Sequence, residues 1–205
     1  MTAIEQLRSS GVALALGGGA ARGIAHIGVL KVLAEEDIPI RGVAGTSVGS
    51  VVGAGLCAGR DWRWMLEEAR SLRWGSLVQP TVPRMGILAT ERLERYLERA
   101  LAVARFEDLQ LPFAAVAVDI ATGEEVVLRS GPLASAIRAS CSVPGIFEPV
   151  AMGSRLLVDG GLLNDVPADV ARMLVGGPVL AVKLNGGVRE PTRPRSIVDV
   201  LTSSF

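Results

Sequence analysis

Arg41-Gly-Val-Ala-Gly-Thr-Ser-Val-Gly-Ser-Val-Val-Gly53 contains Gly45-Thr46-Ser47-Val48-Gly49, a match to G-x-S-x-G. That spacing suits a sharp turn in which a strand ends, a serine occupies the bend in a strained conformation, and a helix starts at once. The flanks agree. Ile38 to Ala44 reads as a short buried strand, and Ser50 to Ala58 is small and apolar, as a helix packed closely on a sheet must be. The serine hydroxyl would then stand at the carboxyl edge of the sheet, at the positive end of a helix. A chain rich in Gly, Ala and Ser can also produce this pattern by chance, so Ser47 needs company from the rest of the sequence.

Towards the N-terminus, Val12-Ala-Leu-Ala-Leu16 is an apolar run of strand length, followed by Gly17-Gly18-Gly19-Ala20-Ala21-Arg22-Gly23. Ile24 to Glu36 has helical spacing, with Ile27, Leu30 and Leu33 on one side. Strand, glycine loop, helix and strand form a βαβ unit, which predicts a parallel sheet. The glycine loop is not a Walker A loop, because neither lysine follows a glycine. It is a poor dinucleotide fingerprint: Arg22 stands where the last glycine belongs, and the second strand closes on Gly45-Thr46-Ser47 rather than on an acid. Its third reading is an anion-binding nest of backbone amides, which adjacent parallel strands would bring beside Ser47. His26 is the only histidine. The α/β-hydrolase order places the catalytic histidine last in the chain, and nothing after residue 26 can serve. His26 is therefore read as structural, and a base for Ser47 would be a carboxylate.

Towards the C-terminus, Asp61 to Ala104 looks helical and amphipathic, broken by Gly75, Pro80, Pro83 and Gly86. It carries Trp62, Trp64 and Trp74, which fit a core or cap and fit a lid or lipid-contacting edge as well. Phe113 to Ile120 is another apolar strand and pairs with Glu125 to Arg129 as a hairpin; Leu133 to Ser140 is a short helix. Ser142 to Pro149 is a rigid loop, lining something rather than filling a core. Arg155-Leu-Leu-Val-Asp159-Gly160-Gly161 ends a strand in an aspartate. Asp-Gly is a strong hairpin cue; a carboxylate facing the site is the alternative. Ala168 to Leu174 is a helix, Pro178 to Leu184 a last strand, and Ser196 to Leu201 a further helix start. We expect one domain over residues 1–205, cut from a longer protein at its C-terminus.

Composition removes other classes. With 49% apolar and 20% charged residues the chain folds around a core, and a formal net charge of zero argues against a nucleic-acid partner. Lys31 and Lys183 are the only lysines among 21 basic residues. That arginine bias reads first as genomic composition and second as a surface for phosphate head groups. Two cysteines, Cys57 and Cys141, exclude a disulfide scaffold and, with one histidine, a structural zinc site. Met1 to Ser10 lacks the apolar core of a signal peptide. Gly42 to Gly59 is uncharged but too rich in glycine to favour lipid. These features predict a cytoplasmic protein with peripheral contact at the inner membrane face, and leave the oligomeric state open.

The glycine loop with Arg22-Gly23, the Gly45–Gly49 elbow, the block Ala139-Ser-Cys-Ser-Val-Pro-Gly-Ile-Phe-Glu-Pro149 and Asp159-Gly160-Gly161 occur in an order that resembles the patatin-like phospholipase family. Gly23-Ile-Ala-His26-Ile-Gly-Val-Leu30 is similar to its bacterial members and to the neuropathy-target-esterase branch. The resemblance implies a three-layer α/β/α fold around a central, mostly parallel sheet. It implies Ser47 as nucleophile and Asp159 as base of a dyad. The amides of Gly18, Gly19 and Ala20 would form the oxyanion hole, with Arg22 fixing the loop. It further implies acyl esters of lipids as substrates, no cofactor and no calcium. Ala20 departs from the pattern, standing where many members have a third glycine, and Asn164 and Asp165 are given structural roles. A catalytically idle scaffold that keeps the fold is the rival reading.

Overall fold

A computed structural model describes residues 2–81 and 85–184. The expected helix start at Ser196 to Leu201 lies outside the described residues. Helix α1 (Ala3–Ser10) precedes β1 (Val12–Leu16), α2 (Ile24–Glu35), β2 (Ile40–Thr46) and α3 (Val48–Cys57). Helices α4 (Trp62–Ser71) and α5 (Glu91–Leu101) flank a two-residue ribbon, β3 (Gln79–Pro80) with β4 (Leu88–Ala89). Then follow β5 (Phe113–Asp119), β6 (Glu124–Leu128), α6 (Leu133–Ser140), β7 (Val150–Met152), β8 (Arg155–Asp159), α7 (Ala168–Val175) and β9 (Val179–Val182).

Four strands are parallel, β9, β1, β2 and β5; β6 and β8 pair antiparallel with β5, and β7 pairs antiparallel with β8. The expected parallel sheet is present, and so is the β5–β6 hairpin. Strand alternation sorts the layers. Leu14 and Leu16 face the larger helical layer, with Ile27 and Leu30 of α2, Val52 of α3, Leu97 of α5 and Ile137 of α6. Ala13, Ala15, Ala44 and Ala114 face the other side, where among the described residues α7 packs, through Val170 and Ala171. Four alanines make that face flat enough for one helix to cover it. Each fully buried leucine in the larger layer contributes roughly 1.5–3 kcal/mol.

The arrangement around β5 places the site. Val116 pairs with Thr46 of β2 and with Val127 of β6, while Ala117 pairs with Asp159 of β8 and with Val126 of β6. Strand β6 therefore occupies one edge of β5. Strands β2 and β8 share the other edge and meet head to head, carboxyl end against carboxyl end.

The helices expected between Asp61 and Ala104 are α4 and α5, and the breakers Gly75, Pro80 and Gly86 stand between them; the short β3–β4 ribbon is an addition to that expectation. Of the two readings of Asp159-Gly160, the hairpin turn is excluded: Asp159 ends β8, the chain goes on into a 3-10 turn at Gly160–Leu162, and the hairpin partner of β8 is β7, before it. No helix among the described residues is long and apolar enough to cross a membrane.

Candidate active site

Ser47 sits at the junction of β2 and α3 with φ 52° and ψ −126°, a region that costs a non-glycine residue on the order of 1–3 kcal/mol. Three neighbours hold it there. The Ser47 amide donates to Ser140 Oγ at 2.9 Å, and Ser140 Oγ donates to the Val116 carbonyl at 2.6 Å. The Ser50 hydroxyl and amide both donate to the Ser47 carbonyl, at 2.6 and 2.8 Å. Gly49 lets α3 lie across the end of β1: a Cβ there would stand 2.1 Å from the Leu16 carbonyl oxygen, an overlap no relaxation of that strand would absorb.

Asp159 closes β8 and is 2% exposed. Its amide donates to the Ser142 carbonyl at 2.9 Å, and its Oδ1 accepts from the Gly161 amide at 2.8 Å. Adjacent registers on β5 set this carboxylate beside the β2 end that carries Ser47. Burial pushes the Asp159 pKa up to about 6, against the opposing pull of the Gly161 amide and the Ser47 hydroxyl, with Asp165 adding a smaller upward push. The carboxylate is thus ionised at neutral pH, yet a better base than one in water.

The glycine loop faces the same junction. A Cβ on Gly18 would be 3.5 Å from the Ser47 Cβ. The Gly17 amide donates to the Val182 carbonyl and the Gly18 amide to the Asp165 carbonyl, each at 3.0 Å. Gly18 was counted among the oxyanion donors; its N–H is already engaged, so it shapes the loop rather than offering a free donor. Among the described residues the amides of Gly19 and Ala20 donate to no protein acceptor. Gly19 has φ 154°, and Ala20 has φ 50°, a left-handed angle that an alanine adopts at a cost of about 1 kcal/mol. Arg22 clips the loop from outside: its amide and its Nε reach the Gly19 carbonyl at 3.1 and 3.4 Å.

His26 is fully buried, and its Nε2 lies 2.8 Å from the Gly17 carbonyl. Desolvation lowers its pKa, so it is a neutral ring that donates to the loop backbone. Asn164 and Asp165 brace the loop from the other side, Asn164 by accepting Thr46 Oγ1 at 2.8 Å on its carbonyl. Sequence reasoning missed the clamp residues Ser140 and Ser50; the Ala139–Pro149 block held the first, without a sign of its role. It also treated Cys141 only as a buried thiol. The Cys141 Sγ in fact lies 3.9 Å from Ser50 Oγ, and burial, with the Asp159 charge, pushes its pKa up to about 12. It stays a thiol beside the serine.

These residues now occupy one junction in the order the family motifs require, and residues 14–172 match Patatin, the patatin-like phospholipase family. The chain belongs to the patatin-like phospholipase family. An uncharacterized NTE family protein of Mycobacterium tuberculosis is 40% identical over 187 residues, covering 89% of this chain and 51% of that protein. Patatin-like phospholipase domain-containing protein 6 of Mus musculus is 36% identical over 186 residues, 86% of this chain and 14% of that one. The chain spans about half the length of this mycobacterial relative and its Mycobacterium bovis counterpart, and 31% of a second mycobacterial NTE family protein. The crystal structure of VipD from Legionella pneumophila shares the fold at TM-score 0.58 and 15% identity, over 75% of this chain and 46% of that one.

One more feature of this patatin-like chain bears on its chemistry. An apolar cavity of about 140 Å³ opens beside the elbow at Ala20 and Val48 and runs between α2, α3, α4 and α5 to Trp64, Leu97 and Tyr96. At roughly 10–15 Å³ for each water-sized group, it holds on the order of ten methylene-sized groups. Trp62 and Trp64 pack on the core from α4, and the Arg60 guanidinium sits 5.0 Å over the Trp64 ring. Trp64 is therefore part of the wall of this cavity, while Trp62 packs on the core outside its lining.

Proposed function

We propose that this chain is a serine acyl hydrolase that cleaves fatty-acyl esters of lipids, of the phospholipase A or lysophospholipase type, through a Ser47–Asp159 dyad. The observation that carries the reading is the register on β5, which sets the buried carboxylate of Asp159, at the end of β8, beside the end of β2 that carries Ser47.

The chemistry balances on these groups alone. Ser47 Oγ attacks the ester carbonyl carbon while its proton passes to the Asp159 carboxylate. The amides of Gly19 and Ala20 hold the developing oxyanion, each such donor contributing on the order of 3 kcal/mol. The tetrahedral adduct collapses; the ester C–O bond breaks, and the Asp159 proton goes to the departing alcohol. A water then gives a proton to Asp159 and attacks the acyl-serine, and the second collapse returns that proton to Ser47 Oγ and releases the acid. The apolar cavity beside Val48 takes the acyl chain, which supports lipid over small polar esters. No step calls for a metal ion, so turnover should survive a chelator.

Ser47→Ala should abolish p-nitrophenyl ester turnover and labelling by a fluorophosphonate, with the circular dichroism spectrum and melting unchanged. Residual turnover at the level of the parent protein would remove Ser47 from the reaction.

A further inference from the structure

Beyond the elbow, α5 and the end of α4 enclose a cleft of about 580 Å³, lined by Arg73, Arg92, Arg95 and Arg99. Arg92, Arg95 and Arg99 share one face of α5 at i, i+3 and i+7, and Arg73 comes from the segment after α4. All four are exposed. Among the described residues the ion pairs use Arg8, Lys31, Arg70, Arg105 and Arg138, and none of the four cleft arginines. Glu68 is the one acid on the cleft wall, and its Oε2 accepts the Tyr96 hydroxyl at 2.8 Å. Four guanidinium groups thus face one concavity with a single carboxylate among them, in a chain whose formal net charge is zero. A cleft lined by one sign of charge focuses its field and raises the local concentration of anions.

The cleft also has an apolar neighbour. Glu68, Leu72 and Tyr96 line both the arginine cleft and the cavity that starts at Val48. The two spaces lie end to end, cationic outside and apolar inside.

We propose that this cleft is a phosphate-binding site, separate from the Ser47 junction. Its guanidinium forks match the tetrahedral oxygens of a phosphate group in the bidentate manner that lysine does not. The group is either free phosphate or the phosphate of an anionic lipid at a membrane surface. Binding at the cleft does not depend on Ser47 being a nucleophile, and it is measured without turnover.

The test uses the full chain and two probes. Inorganic phosphate is titrated by calorimetry. Flotation is measured with phosphatidylcholine vesicles, with and without phosphatidate. Arg92→Gln with Arg95→Gln and Arg99→Gln should weaken binding by about tenfold or more. A control with Gln at Arg129, Arg155 and Arg172, which do not line the cleft, should bind like the parent. Arg95→Gln alone should give a smaller loss in the same direction, and serves if the triple variant fails to fold. Binding of phosphate alone identifies a soluble ligand; binding of phosphatidate vesicles alone identifies a membrane head group; both outcomes support the site. The proposal falls if the parent binds neither probe, or if the control loses as much as the cleft variant.

Discussion

Replacing Asp159 by Asn should stabilise the protein while removing its activity. The carboxylate is carried from an ordinary pKa of 3.8 to about 6 on folding. Between those values the folded state holds more proton than the unfolded chain, so stability falls as pH rises through that window. Below pH 3.8 both states are protonated and the group costs nothing; above pH 6 both are ionised and the folded state bears the full burden. At 1.36 kcal/mol per pH unit that burden is about 3 kcal/mol at pH 8. An asparagine keeps an oxygen for the Gly161 amide, and carries no charge to bury. The variant should therefore gain about 3 kcal/mol at pH 8, about 1.6 at pH 5 and about 0.5 at pH 4. For a chain of this length the gain at pH 8 is roughly 6–12 °C in Tm. Parallel urea or thermal unfolding of both proteins at the three pH values measures it, and p-nitrophenyl ester turnover should drop by about 10²–10⁴-fold. A variant no more stable at pH 8, or equally stabilised at all three, would refute the assignment of displaced proton affinity to Asp159.

Under the proposed function the same carboxylate should set the pH dependence of ester cleavage. With a soluble ester, kcat/KM should rise with a slope of one proton to a plateau above about pH 6, and a second limb near neutrality would implicate another base. His26→Leu removes the 2.8 Å contact to the Gly17 carbonyl and should lower kcat by roughly 10–100-fold through loop misplacement, leaving the apparent pKa in place. Loss of that pH limb in the variant would make His26 a base instead. Ala69 lines the apolar cavity, so Ala69→Phe should lower the ratio of octanoyl to butyryl ester turnover several-fold, while butyryl turnover holds. An unchanged ratio would place the acyl chain elsewhere.

Much of the site was legible because its chemistry is local in sequence. Gly45 to Gly49 announces a turn, and Val12 to Gly23 announces a strand feeding a loop of backbone amides; both are present. Three things were not legible. The capture of the Gly18 amide by Asp165 depends on a residue far away in the chain. So does the support of the elbow by Ser140, whose hydroxyl has no periodic or compositional signature. The meeting of β2 with β8 is a register on β5, and a strand that is apolar on both faces gives no clue to which neighbours share an edge.

The butt joint of β2 and β8 has a consequence for how this architecture can vary. Val116 and Ala117, neighbours on one strand, act as adjacent marks on a ruler against which both functional ends are measured. The peptide joining those ends passes through most of the chain, yet its length does not enter the spacing. Insertions in the connections can accumulate without disturbing the pair, whereas one residue added within β5 between the two marks would pull the hydroxyl and the carboxylate apart.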